Sequence, residues 1–399
     1  MENIPTRRTL LKASLAGAAG AATLTAGPVG AWAAPAGSER HQAPWLRRID
    51  EIVAAITAVD VGITVAVSKR GRTFFAKGYG LRDRGLPDEF TGEDFFKVAQ
   101  LDDRLGLRRG RSRPTFDTIF NLGSISKGFT AAAVFWLHER GRLSIHDRLG
   151  KYLPAYTRGA DITLLQLMHQ QSGIPDYNNF PLFQQAYDAF VASGERDHSA
   201  TVAKLESLPL TFPPGSKYAY SNSNFLLLAL VVEKVTRTSF GRFAQRTFFD
   251  PLRMHDTTQG YPARYSTDVA LGYRAEDDGV HRQYQWSLPW MVGAGGLVGS
   301  ARDLARWQAA MLRPGLLNRE SLRTMFTPEL GSYACGWVTQ THQDKPYIWH
   351  NGGMGGFRTV HGLFPDQDIS VSLLSNDEIT TPAIEQSVTK VFDAVKEVW

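Results

Sequence analysis

Cysteine is nearly missing from this sequence: Cys335 stands alone among 399 residues. One thiol closes no intrachain disulfide and makes no CxxC redox or metal site. The fold must therefore rest on its apolar core, and a chain of this length can bury roughly 75% of its unfolded surface without staples. Long apolar runs are missing too. The longest, residues 225–232, falls far short of the roughly 18–20 residues of a membrane-spanning helix. Charge is sparse and balanced, with 44 Lys and Arg against 39 Asp and Glu, a net of +5. That is not the dense basic stripe of a nucleic-acid-binding protein, so no nucleic-acid partner is expected. Collagen-like, disordered, disulfide-stapled and multi-span membrane chains are excluded. The reading left is a soluble globular protein of enzyme size.

The first 33 residues differ from the rest. Thr6-Arg7-Arg8-Thr9-Leu10-Leu11-Lys12 precedes a stretch, 13–38, with no Asp, Glu, Lys or Arg. Ala31-Trp32-Ala33 forms a small-residue exit. A basic start, an apolar centre and such an exit describe a secretory signal peptide. The paired arginines resemble a twin-arginine signal, with Leu10 where Phe usually stands. The alternative is an uncleaved anchor, but this segment is rich in Ala and Gly, carries Pro28 and Pro35, and lacks the Leu/Ile/Val density of a span. The expectation is a periplasmic or extracellular protein without stable membrane insertion after cleavage. Loss of Arg7, Arg8, Lys12 and Glu2 would take the net charge from +5 to +3.

Residues 45–58 carry apolar residues at helical spacing, and strand-like runs follow at 62–67 and 73–79. The middle of the chain reads as helices at 124–140 (ended by Gly141), 163–171, 200–207, 223–236 and 239–248. Ser300-x-x-Asp303 resembles a capping box opening another helix. Strands are expected at 333–340, 346–350, 359–364 and 369–375, with a last helix over about 382–398. This order predicts an α+β fold. Residues 34–120 and 291–399 would build one sheet domain. Residues 121–290 would form an inserted helical domain, with a cleft between the two.

Three short motifs carry chemistry. Ser124-Ile125-Ser126-Lys127 sits at a helix start, where residues three apart share a face. A hydroxyl thus stands beside an amine, and the helix N-terminus favours negative charge on the serine oxygen. Serine needs a base before it attacks, and a neutral lysine can serve. Neutrality near pH 7 requires lowering a reference pKa of about 10.4 by roughly 3 units. Tyr220-Ser221-Asn222 follows the Pro213-Pro214-Gly215 turn. It offers a phenol that can shuttle protons if the nearby lysine lowers its pKa, and an amide with one acceptor and two donors. His350-Asn351-Gly352-Gly353 follows a strand run, and its glycines let a ligand or another backbone come close. A backbone N–H there could form half of an oxyanion hole, and His350 would contribute a positive or a hydrogen-bonding edge. Each motif alone reads equally well as structure: a helix cap with a surface lysine, a turn with a buried tyrosine, a histidine beside a tight turn.

Together, in this order and spacing, the three resemble the penicillin-recognising serine hydrolases. The likeness is to the branch of class C β-lactamases, D-alanyl-D-alanine carboxypeptidases, esterases and D-amino-acid amidases. It extends to Ser172-Gly173-Ile174-Pro175, Phe212-Pro213-Pro214-Gly215 and Gly293-Ala294-Gly295-Gly296, and runs from about residue 45 to the end. The resemblance implies a β-lactamase/DD-peptidase-like fold, an antiparallel sheet flanked by terminal helices with an all-helical insertion. It implies acylation of Ser124, with Lys127 and Tyr220 sharing acid and base work. Asn222 would hold the acyl amide, and His350 would stabilise the tyrosine or the substrate. Gly352 and Gly353 would line the substrate, with the N–H groups of Ser124 and Gly353 as oxyanion hole. No metal or cofactor is implied. The partner would be a small-molecule or peptide substrate with an amide or ester bond, such as a peptidoglycan stem peptide or a β-lactam. The alternatives are a non-catalytic envelope binding protein of the same fold and a true β-lactamase.

His-Asn-Gly and Tyr-Ser-Asn depart from the Lys-Thr-Gly and Tyr-Ala-Asn of class C β-lactamases, and resemble the carboxypeptidase and esterase members more. Other catalytic signatures are incomplete. Ser124–Gly128 lacks the first Gly of a nucleophile elbow, and His138-Glu139 lacks the second His of a zincin. Residues 85–113 exceed the family pattern by about 20 positions. They carry Arg104, Arg108, Arg109, Arg111 and Arg113, as a solvated loop or as a lid facing an anionic substrate. Deleting 95–112 decides between these: unchanged KM and substrate preference would leave only the loop.

Overall fold

The structure is a computed structural model that describes residues 43–57, 60–84, 112–177, 184–194, 196–260, 268–276, 279–283, 288–378 and 383–398. The signal-like residues 1–33 and the expected insertion, apart from residues 112 and 113, lie outside the described residues. Helix α1 (Pro44–Ala54) begins on a proline whose fixed φ suits a first turn. Strands β1 (Ile63–Lys69) and β2 (Arg72–Tyr79) follow, then β3 (Phe120–Asn121) and helix α2 (Ser126–Glu139). Helices α3 (Leu164–Met168), α4 (Gln184–Ala192), α5 (Ser199–Glu206), α6 (Asn222–Thr236) and α7 (Phe240–Ala244) make up the middle. Short strands β4 (Thr258–Gln259), β5 (Tyr273–Glu276), β6 (Gly279–Arg282) and β7 (Leu297–Gly299) lead to helices α8 (Ala301–Met311) and α9 (Arg319–Phe326). Strands β8 (Val338–His342), β9 (Lys345–Met354), β10 (Phe357–Phe364) and β11 (Ile369–Ser375) precede helix α10 (Ala383–Val395).

The main sheet has the order β2-β1-β11-β10-β9-β8, every neighbour antiparallel. The first and last long strands of the chain thus lie side by side, Ile63 opposite Ser375. Alternation along β1 sends Ile63, Val65 and Val67 to one face, where α1 and α10 cover them with Ile49, Val53, Ile384, Val388 and Val391. Thr64, Ala66 and Ser68 face the other way, where α8 packs on β1 and β11. Polar side chains on that face find partners: Ser370 Oγ donates to Gln308 Oε1 at 3.0 Å, and Thr64 Oγ1 to the Thr115 carbonyl at 2.9 Å. A sheet covered on both sides explains why β1 is buried from Ile63 to Ser68.

Helices α2 and α6 pack against each other at the centre of the second layer. Both are buried nearly all round, and Phe129 of α2 stacks on Trp307 of α8 at 4.0 Å. Gly141, at φ +63°, turns the chain out of α2 as the sequence predicts.

Several elements differ from expectation. The expected strand 333–340 starts only at Val338, because 333–337 forms an irregular loop with Gly336 at φ +76°. The expected strand 346–350 runs on to Met354, so His350 and both glycines lie within β9. Helix α3 is cut short and Gln170 adopts φ +61°. Ser300 caps α8, but the Asp303 carboxylate bonds Asp256 N and Thr257 Oγ1, leaving half a capping box. Helices α4 and α9 and the β5–β6 hairpin went unread; α9 shows only three buried residues in eight.

Leu373 is fully buried under α10. Leu373→Ala should cost about 3 kcal/mol, seen as a lower urea midpoint at constant slope. A cost well under 1 kcal/mol would mean that this face can collapse around the gap.

Candidate active site

Strand β3 delivers the chain to Gly123, whose φ is +51°. A Cβ at this position would stand 2.8 Å from Gly353 N and 3.0 Å from Gly352 Cα. Both the left-handed backbone and the close approach of β9 therefore require glycine. Ser124 follows in a single 3-10 turn, Gly123–Ile125, that runs into α2. Gly352 is constrained likewise, since its Cβ would meet the Leu122 carbonyl oxygen at 2.0 Å. The motif-bearing segments around Ser124 and Gly353 are thus pressed backbone to backbone.

Lys127 lies one turn beyond Ser124 and is fully buried. Its Nζ is 2.9 Å from Ser124 Oγ, 2.7 Å from Asn222 Oδ1 and 2.6 Å from the Ala294 carbonyl oxygen. Burial pushes its pKa down to about 7, against a smaller upward pull from the negative charge of Asp176. Tyr220 approaches Ser124 from the other side, its hydroxyl donating to Oγ at 2.7 Å. Its ring is about one-third exposed at the mouth of the site, with its centroid 4.9 Å from Lys127 Nζ. Burial of the hydroxyl end raises its pKa above the usual phenol range, and the bond to Ser124 opposes that rise.

Asn222 opens α6 and spans two partners, Oδ1 toward Lys127 and Nδ2 donating to Asp176 Oδ2 at 2.9 Å. Ser124, Lys127, Tyr220 and Asn222 thus form one hydrogen-bonded set, although 98 residues separate the first from the last.

His350 lies close by without joining that set. Its ring centroid is 6.4 Å from that of Tyr220. Its Nε2 is 3.0 Å from the Tyr333 hydroxyl and its Nδ1 is 2.6 Å from the Asn351 carbonyl oxygen. A carbonyl only accepts, so Nδ1 carries the proton and Nε2 accepts from Tyr333. Burial, then the charge of Lys127, push its pKa down to about 3. This neutral ring does not supply the positive edge open to it in the sequence reading. Tyr333 is buried and edge-on to both rings, 6.0 Å from Tyr220 and 5.7 Å from His350, so the three form a triangle.

Sequence reasoning missed Asp176, Tyr333 and the Ala294 carbonyl. Asp176 directly follows Ser172-Gly173-Ile174-Pro175, which had drawn notice, whereas Tyr333 lies in a loop read as strand. Cys335 is buried beside His169, 3.5 Å from Nε2, and burial pushes its thiol pKa up, so it is held as an unreactive thiol. Among the described residues, no three His, Cys, Asp or Glu side chains group as metal ligands, and no helix is long and apolar enough to cross a membrane.

Three buried histidines, His198, His350 and His361, have pKa values lowered to about 4, 3 and 3 from 6.5, chiefly by burial. Between those values and 6.5 the unfolded chain binds the extra protons, so stability falls as pH drops through this window. The urea midpoint at pH 5 should lie below that at pH 7. His361→Gln should lessen the difference, and an unchanged gap would show that His361 is not held neutral.

Comparison with known proteins places the arrangement. The chain is 26% identical over 329 residues to Protein flp of Staphylococcus aureus (strain N315), covering 79% of this chain and 59% of that protein. It is 28% identical over 299 residues to Penicillin-binding protein 4* of Bacillus subtilis (strain 168), covering 70% of this chain and 65% of that one. The chain thus spans about six-tenths of the length of these relatives. The fold matches D-amino acid amidase from Ochrobactrum anthropi SV3 with a TM-score of 0.71 at 18% identity, over 89% of this chain and 99% of the amidase. The fold is that of the β-lactamases and DD-peptidases. Residues 49–395 match the family described as Beta-lactamase, and the chain belongs to that family of penicillin-recognising serine hydrolases.

Proposed function

We propose that this protein is an exported serine hydrolase that cleaves amide or ester bonds through an acyl-enzyme on Ser124. One observation carries the reading: a buried Lys127 amine with pKa near 7 sits 2.9 Å from Ser124 Oγ. A neutral lysine has two N–H donors and one lone pair. The Asn222 and Ala294 oxygens take both donors, so the lone pair faces Ser124. Lys127 is then the base, since burial lets it lose its proton near pH 7. Tyr220, its pKa raised, keeps its proton and acts as donor rather than base.

In this scheme the Ser124 proton passes to Lys127 while Oγ attacks the carbonyl carbon. The displaced electron pair settles on the carbonyl oxygen, held by the N–H groups of Ser124 and Gly353. Collapse breaks the C–N or C–O bond, and a proton returns through Tyr220 to the departing atom. Water then repeats the sequence to release the acid. Asn222 and Gly352 would hold the acyl portion, and His350 would keep Tyr333, and through it the Tyr220 ring, in place. We assign residues 34–120 and 291–399 to the sheet domain and 121–290 to the helical domain, with the site between them. Residues 1–33 would direct export to the periplasm or beyond. The substrate fits best as a D-alanyl-D-alanine peptide, or as an ester or amide of related shape.

The test is a fluorophosphonate or penicillin adduct on Ser124, read by mass spectrometry. Ser124→Ala should lose the adduct, and Lys127→Arg should abolish acylation because arginine keeps its proton. The kcat/KM of the wild type should rise with pH through about 7, as a base must be unprotonated to act. Absence of any adduct would favour the binding-protein alternative. A panel of D-Ala-D-Ala peptides, nitrocefin, short esters and D-amino-acid amides identifies the substrate.

A further inference from the structure

We infer that Asp176 is a positioning residue of this site: its carboxylate fixes which end of the Asn222 amide faces Lys127, and so where the lysine lone pair points. The inference rests on Lys127 being the base, as proposed above, and adds a residue that no motif assigns.

The geometry is a count of donors and acceptors. An ionised carboxylate only accepts hydrogen bonds. Asp176 Oδ2 lies 2.9 Å from one end of the Asn222 amide, so that end must be the NH₂. The oxygen then faces Lys127 at 2.7 Å and takes one lysine N–H. The Ala294 carbonyl takes the other at 2.6 Å. Only Ser124 Oγ remains for the lone pair, at 2.9 Å. Turn the amide over and the NH₂ would point at Lys127. The lone pair would then be drawn to Asn222 and the serine would lose its base. Among the described residues, Asn222 has no other side-chain partner that imposes this choice, since a neutral lysine can donate or accept.

The same carboxylate acts on the lysine through charge. The groups facing Lys127 are Tyr220 before α6, Asp176 in the turn after α3, and His350 on β9, with Asn222 and Phe225 of α6 completing the wall. Tyr220 and His350 are neutral near pH 7, so Asp176 is the one negative charge among them. It raises the pKa of Lys127, in opposition to burial.

Asp176→Asn keeps shape while removing both constraints, because an asparagine can present either end to Asn222. Two changes are expected in the pH profile of kcat/KM for an ester substrate. The limb that rises through about pH 7 should move down by about one unit, as the lysine loses its negative neighbour. The plateau should fall about tenfold, through kcat more than KM, as the amide samples both orientations. Asp176→Ala should show the same limb shift, with a plateau at least as low. A limb that stays in place, or a plateau within about twofold of wild type, would overturn the inference. Thermal unfolding of both variants checks folding; if the alanine variant fails to fold, the near-isosteric asparagine variant decides. Fluorophosphonate labelling of Ser124 in the wild type separates the two readings. Normal labelling with an unmoved profile in Asp176→Asn sinks the role of Asp176 alone, whereas no labelling of the wild type sinks the base assignment beneath it.

Discussion

The site depends on one costly arrangement, an amine taken fully out of water with no carboxylate among its hydrogen-bond partners in the described residues. Lys127 Nζ is met by a hydroxyl, an amide oxygen and a backbone carbonyl. Desolvation disfavours its charged form, which is how an amine of ordinary pKa near 10.5 comes down to about 7. Three separated parts of the chain must converge to hold it there: α2 carries the lysine, α6 carries Asn222, and the segment before β7 carries the Ala294 carbonyl. Phe225 and Tyr220 add ring faces at 5.7 and 4.9 Å. Such faces favour a cation, but burial dominates.

The remainder of the architecture reads as support for that convergence. Both faces of the sheet are covered, one by the terminal helices and the other by α8. Its strand β9 lies so close to the turn that carries Ser124 that no side chain would be tolerated at Gly352 or at Gly123. The loop at 333–337 serves the same end from behind. A Cβ at Gly336 would fall 2.7 Å from the Lys127 carbonyl oxygen, and one at Gly128 would strike Trp337. Tyr333 in that loop ties to His350. The lysine is thus enclosed from the loop side as well as from α6.

His350 shows how environment decides the role of a side chain. Its type and motif position left open either a positive edge or a hydrogen-bonding one. Burial beside Lys127 removes the first option, because two charges cannot share an enclosed space cheaply. What remains is a neutral ring with both nitrogens bonded, fixed by Asn351 and Tyr333.

Elements with strong periodicity could be read from the residues alone. The terminal helices, β1, β2, β10, β11 and the long helices α2 and α6 were legible because burial of one face, or of every face, leaves a pattern in the apolar residues. The residues that could do chemistry were legible too, since Ser-x-x-Lys, Tyr-Ser-Asn and His-Asn-Gly-Gly are local strings. Helix α9 was not legible because it is eight residues long, and Leu322, Met325 and Phe326 are too few positions to establish a period. What each string can do depends on how the chain packs around it. The lowered pKa of Lys127, the neutrality of His350 and the convergence of Asp176, Tyr333 and the Ala294 carbonyl arise from burial and from contacts between distant segments. Solvent exclusion and long-range contact are properties of the packed chain, and no short stretch of residues encodes them.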